Sequence, residues 1–348
     1  MRRVLIFVIL GILLALPVRA MEFEAPVPPE SAAALLPKEA DSFGEGLWNL
    51  VREAVELVSP SLTEAAGCCL RLLAAVLLTA MAVQFAPGIS KSALELAGTA
   101  AVAVLLLEPS ASLIELGLST VTELRDYGKL LLGVLTSALA ARGGVTTSTA
   151  LYVGTAFFDT LLSAAVTAVF IPMLWMYLAL SIAHAALGEA VLDKLRGLLR
   201  WLMEWALKLT LYIFTGYMTI TGVVSGTADA AAGKAARIAI SGAVPVVGGI
   251  LSDATDAVLL GAATLGSGAG IWGILTVLAL FCAPAVRIGC QYLLLKVTAA
   301  AGESLGGLRC GALAGDFAGM LGLVVALVST QTVMLLISAV CFMRGVSG

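Results

Sequence analysis

Charge is what this chain has least of. Only 12% of its residues are Asp, Glu, Lys or Arg, where a soluble globular domain carries roughly 25%, and 60% are hydrophobic. Apolar runs recur along the whole chain, so the bilayer is the organising solvent throughout rather than the anchor of a large soluble domain. The net charge of -3 leaves no basic stripe to displace counterions from phosphates, which argues against a nucleic-acid binder. Histidine is nearly absent: His184 stands alone, and no GxSxG turn accompanies it as a triad would need. Its apolar setting suits an interhelical hydrogen bond. The GxxxxGK(S/T) nucleotide loop and the HExxH zinc helix are both missing. The six cysteines, Cys68, Cys69, Cys282, Cys290, Cys310 and Cys341, show no CxxC spacing and read as small packing residues in helices. No catalytic residue, cofactor or metal ion is therefore expected.

Residues 1–20 join a basic start, Arg2 and Arg3, to the apolar run Val4 to Val18 and a small-residue pattern ending at Ala20. That is the layout of a secretory signal peptide, with a run shorter than the ~20 residues of a crossing. Residues 21–66 carry nine acidic residues against Lys38 and Arg52 and are expected to form an acidic extracytoplasmic segment. Within it, Leu47, Leu50, Val51, Val55 and Val58 recur at the spacing of a short amphipathic helix.

From 67 to 348 the pattern predicts a multi-span helical membrane domain. The first spans are Gly67–Pro87 and Leu94–Leu107, the second closed by Glu108 and Pro109. Residues 110–144 are amphipathic and suit an interfacial helix, a re-entrant helix or a short span. The stretch 146–187 is long enough for a hairpin of two crossings broken near Pro172. A polar patch follows, then a segment with Trp201 and Trp205 at an interface and Glu204 and Lys208 at pairing distance on one helix face. Ile271–Pro284 and Ala285–Thr298 form another pair broken at Pro284, and Met320–Phe342 is the last span. The expected fold is all-α: a polytopic integral membrane protein of about six to eight transmembrane helices with interrupted or re-entrant segments. One conflict remains in the orientation. An exterior acidic segment puts Lys91 inside, but two crossings over 146–187 then put Lys194, Arg196 and Arg200 outside, against the positive-inside rule.

Two features carry candidate sites. The stretch Ile240–Gly270 mixes Gly242, Pro245, Gly248 and Gly249 with Asp253 and Asp256. A lipid-facing helix cannot hold such a run, because hydrocarbon satisfies neither freed backbone groups nor charges. Spaced three apart, Asp253 and Asp256 would share a helix face as an ion or proton site, or as charge partners of Arg237 or Arg287; in a loop they would be solvated. An aspartyl-protease reading would pair Asp159 with one of them, but the GxGD context is missing. The second feature is the fourfold repeat Gly307, Gly311, Gly315 and Gly319. On a helix it makes a smooth ridge for close approach by another helix; the alternative is a glycine-rich loop around Arg309 and Asp316.

The block Tyr217–Ala262, YMTITGVVSGTADAAAGKAARIAISGAVPVVGGILSDATDAVLLGA, with the acidic lead-in and the late AGESLGG and CGALAGDFAGMLG segments, resembles the stage III sporulation protein AE family of endospore-forming bacteria. The resemblance implies a multi-pass protein of the mother-cell membrane surrounding the forespore, with no established catalytic residues. Its implied partners are the other SpoIIIA-complex membrane proteins, a separate cytoplasmic ATPase and, indirectly, the forespore protein SpoIIQ. Together these would form a channel or secretion-like apparatus required for late forespore gene expression. The alternative reading is a secondary transporter with an ion or solute site at 240–270.

Overall fold

The structure, a computed structural model, describes residues 25–36, 43–85, 90–141, 145–220, 268–304 and 308–347. The expected signal peptide at 1–20, and Arg237, Asp253, Asp256 and Gly307, lie outside the described residues. Among those described, the fold is helical and contains no strand. In chain order the helices are α1 (Glu30–Ala33), α2 (Phe43–Phe85), α3 (Lys91–Ala141), α4 (Val145–Ala165), α5 (Ile171–Leu187), α6 (Ala190–Ile220), α7 (Gly268–Ser304) and α8 (Leu308–Ser347). Long helices follow directly from the composition, since a helix pairs all its interior backbone groups within itself where lipid offers no partner.

Several expected breaks do not break the chain. The amphipathic segment from 47 is continuous with the first span as α2, and α3 runs through Pro109 to include the whole of 110–141. Pro284 likewise lies within α7, so the expected pair over 271–298 is one helix. The expected hairpin over 146–187 is also a single run. A π-turn, Val166–Phe170, joins α4 to α5 without reversal, both flanking residues keeping right-handed helical dihedrals. This turn explains how Pro172 is tolerated. A proline clashes with the carbonyl four residues earlier, here that of Ala168, which the widened π-turn carries. What does end this helix is Gly188, whose φ of 75° places it in the left-handed region while its N–H donates to the His184 carbonyl at 2.7 Å.

Five stretches are long and apolar enough to cross a membrane: Phe43–Phe85, Lys91–Ala140, Ser148–Leu187, Gly270–Ser304 and Arg309–Met343. The expected six to eight is thus not reached among the described residues, because apolar pairs read from the sequence merge into single helices. α6 is not among the five; it carries six charged residues, Asp193, Lys194, Arg196, Arg200, Glu204 and Lys208.

The helices run up and down in alternation. At one end of the bundle Gly188 lies against the Arg309 guanidinium, Gly302 faces Gly311, and Glu95 reaches Arg309. At the other end the Tyr217 hydroxyl donates to the Ala150 carbonyl and the Thr155 and Ser338 hydroxyls meet, each at 3.1 Å. α8 is the centre: 89% of its most apolar window is buried, against 28% for α2. Its buried Thr330 and Thr332 donate back to carbonyls one turn earlier at 2.8 and 2.9 Å, so their hydroxyls need no partner from another helix, and Ser338 does the same at 2.9 Å while also meeting Thr155.

Candidate functional site

The side chains that could carry a function are those that break the apolar surface of α8, together with what the surrounding helices bring to them. Near its start, Arg309 places Nε 3.2 Å from Glu95 of α3 and donates through Nη1 to the Ala186 carbonyl at 3.3 Å. That carbonyl belongs to the last turn of α5, where the helix dipole favours a cation. Two turns on, Asp316 pairs with Arg196 of α6, and Arg196 also contacts Asp193. The Arg196 and Asp316 side chains are only 16% and 15% exposed. Next to this pair, Arg200 donates to Glu204 at 2.8 Å. The expected Glu204–Lys208 pair is therefore replaced by a pairing one turn earlier on the same helix: Arg200 lies on the half-buried side with Glu204, and Lys208 is exposed. His184 turns its Nδ1 to the Glu189 carbonyl at 3.1 Å, which ties the turn between α5 and α6 rather than a distant helix.

Lower on α8, Gln331 is buried and donates to Asp159 of α4 at 2.6 Å. Arg125 of α3 donates to Ser163 at 2.6 Å, and Lys129 to Asp126 at 3.1 Å. Arg125, Lys129, Asp159 and Gln331 border a cavity of about 30 Å³, which suits one or two waters, each needing ~10–15 Å³. Asp159 thus accepts from an amide, with the charges of Arg125, Lys129 and Asp126 nearby; Asp253 and Asp256, its partners in the aspartyl-protease reading, lie outside the described residues.

Of the glycines in the repeat, Gly311, Gly315 and Gly319 lie on α8. A Cβ on Gly311 would stand 2.7 Å from the Glu303 nitrogen and 2.9 Å from the Ala299 oxygen, both backbone atoms of α7. At Gly315 it would make ordinary contact with Ala299 at 3.5 Å. At Gly319 it would meet the Tyr177 hydroxyl at 3.1 Å and Arg200 at 3.4 Å. The repeat therefore faces α7 closely at its start and gives way to polar side chains of α5 and α6 further along. Arg287 lies on α7 at a cavity shared with α2 and α3.

All six cysteines are free, with Cys282 half-buried and the other five buried, as packing residues would be. The pairs Arg196–Asp316, Arg309–Glu95 and Gln331–Asp159 were not read from the sequence. A signal for them exists: an acid inside an apolar helix demands a partner, and Asp316 and Asp159 are such acids. Which partner answers is a matter of tertiary placement.

The family described as stage III sporulation protein AE matches residues 43–345. Stage III sporulation protein AE of Bacillus subtilis (strain 168) is 23% identical over 177 residues, covering 51% of this chain. The matched part spans 44% of that relative, somewhat under half its length. No solved structure matches.

Proposed function

The chain belongs to the stage III sporulation protein AE family, and on that premise we propose that it is a membrane component of the channel or secretion-like complex linking mother cell and forespore. In this reading it resides in the mother-cell membrane around the forespore, packs with other SpoIIIA-complex membrane proteins, depends on a separate cytoplasmic ATPase for energy, and reaches SpoIIQ indirectly. It acts as a packed scaffold rather than as an enzyme.

The observation that carries the assembly role is the outer face of α6. Val191, Leu195, Leu198, Leu202, Trp205, Leu209 and Tyr212 alternate in spacing by four and three, and every one is exposed. That is the seam of a helix that pairs with another. Its inner face, Met203, Leu207, Leu211, Phe214 and Met218, is already buried in the bundle. Trp201 stacks on Trp205 of this seam at 6.2 Å between ring centroids. The orientation is also consistent. With 148–187 as one crossing, Lys91, Lys194, Arg196 and Arg200 fall at one end of the bundle, which the positive-inside rule places in the cytoplasm.

The test is deletion of the gene in a sporulating host, complemented with wild-type, Leu198→Glu or Leu202→Glu protein. Deletion is expected to leave engulfment intact and abolish late forespore gene expression. The Glu variants are expected to accumulate normally in the membrane, fail to copurify the partner membrane proteins and fail to complement. Normal sporulation in the deletion strain would refute the role, and solute-uptake assays on the transporter alternative would then take priority. Full copurification by both variants would remove α6 from the interface.

A further inference from the structure

Between α2, α3 and α7 lies a cavity of about 210 Å³, far above the ~10–15 Å³ that a single water requires. Its polar lining comes from Ser61, Glu64 and Arg71 of α2, Ser112 of α3, and Arg287 and Gln291 of α7. In the sequence these are separate interruptions of apolar runs: Glu64 and Arg71 around Gly67, Pro109 and Ser112 after Leu107, Arg287 and Gln291 after Pro284. The fold brings the three interruptions to one place.

The lining is not satisfied by itself. Gln291 is 6% exposed and Ser61 7%, and neither side chain makes a hydrogen bond among the described residues. Both residues line the cavity, so the Gln291 amide and the Ser61 hydroxyl are open to whatever fills it. Among the described residues Arg287 has no ion-pair partner and Arg71 donates to the Gly67 carbonyl one turn back, at 3.2 Å; both residues are exposed at the cavity mouth. With Glu64 as the only carboxylate, the lining is net positive.

We propose that this cavity binds a phosphate group. Guanidinium forks match phosphate oxygens in paired hydrogen bonds. Two forks, an amide and a hydroxyl outnumber the two oxygens of a carboxylate and suit the three or four of a phosphate. Arg71 and Arg287 hold the oxygens, Gln291 and Ser61 complete their hydrogen bonds, and Glu64 faces a hydroxyl or ammonium on the same molecule. A phospholipid headgroup and a free phosphate share this chemistry.

The experiment uses the purified full chain in neutral detergent and follows its thermal unfolding midpoint. Inorganic phosphate is titrated against potassium chloride of equal ionic strength, and short-chain phosphatidylglycerol against diacylglycerol of the same chain length. A saturable rise is expected with a phosphate-bearing ligand and with neither control. Arg71→Gln and Arg287→Gln each raise the half-saturating concentration tenfold or more. Glu64→Gln lowers it, a gain that misfolding cannot imitate. A response to inorganic phosphate as well as to the lipid assigns the site to the phosphate group alone; a response to the lipid only assigns it to a headgroup. Absence of any saturable rise, or an unchanged half-saturation in the Arg71→Gln, Arg287→Gln double variant, overturns the proposal.

Discussion

Gly311→Ala adds one carbon at the closest approach of α7 and α8. That carbon would stand 2.7 Å from the Glu303 nitrogen and 2.9 Å from the Ala299 oxygen, inside the 3.0 Å that real Cβ contacts observe. Both atoms are backbone, so no side chain can rotate away, and the two helices must part by several tenths of an ångström. Overpacking of this kind costs ~1–3 kcal/mol. The substitution recovers up to ~1 kcal/mol, because alanine is the better helix former. The net loss is on the order of 1–2 kcal/mol, enough to lower the folded-to-unfolded ratio roughly 5- to 30-fold. Gly315→Ala is the matched control. Its added carbon would meet only the Ala299 side chain, at 3.5 Å, so the propensity gain is unopposed and the change is neutral or slightly stabilising. The assay is thermal unfolding of the purified full chain in detergent, with Gly311→Leu added to enlarge the effect and to test complex formation. Gly311→Ala is expected to melt several degrees below wild type and Gly315→Ala at or above it. Equal midpoints for the two alanine variants would refute the argument, since glycine would then be dispensable at both positions and the close approach would carry no energetic weight.

The remaining predictions concern the charged and polar groups. Asp316→Asn removes the carboxylate charge opposite the Arg196 guanidinium, which is only 16% exposed, and leaves it the Asp193 carboxylate and a neutral amide oxygen, so it is expected to cost ~1–3 kcal/mol. Asp193→Asn, at a carboxylate that is 52% exposed, is expected to cost below ~1 kcal/mol, so steady-state membrane levels should separate the two. Asp159→Asn keeps an oxygen to accept from Gln331 and is expected to support normal sporulation, whereas Asp159→Leu leaves that buried amide unpaired at ~1–3 kcal/mol. Loss of sporulation by Asp159→Asn at normal protein level would show that the acid, not the hydrogen bond, is required. If Asp253 and Asp256 form an ion or charge-pair site, replacing both with Asn abolishes function, and wild-type sporulation at normal protein level would sink that site.

Composition and periodicity determined the class of this protein. Lipid offers backbone groups no partner, and apolar runs this long and continuous fit helices rather than the short alternating strands of a barrel. Of the late glycines at fourfold spacing, Gly311 stands where a Cβ would meet the backbone of another helix, whereas Gly315 and Gly319 face side chains. The sequence could not tell a break from a bend. Pro109, Pro172 and Pro284 each look like the end of a span, yet the helices continue through all three. A proline removes one backbone hydrogen bond but does not set the direction of the chain; packing on both sides does, and at Pro172 a π-turn absorbs the misfit. With 146–187 as one continuous helical run rather than a hairpin, Lys91 lies at the same end of the bundle as Lys194, Arg196 and Arg200, because the number of reversals sets which basic residues share an end.

Partner choice lay equally beyond local reading. That Asp316 and Asp159 need partners follows from their apolar surroundings; that the partners are Arg196 and Gln331 follows only from how α4 and α6 lie against α8. The cavity is the extreme case. Ser61, Arg71, Ser112, Arg287 and Gln291 come from three helices separated by up to 230 positions in the chain, and of these only Arg287 stood out in the sequence, as a candidate charge partner. Local sequence fixes what each side chain can donate or accept, whereas the meeting of such groups depends on helix direction and register, which only the packed bundle decides.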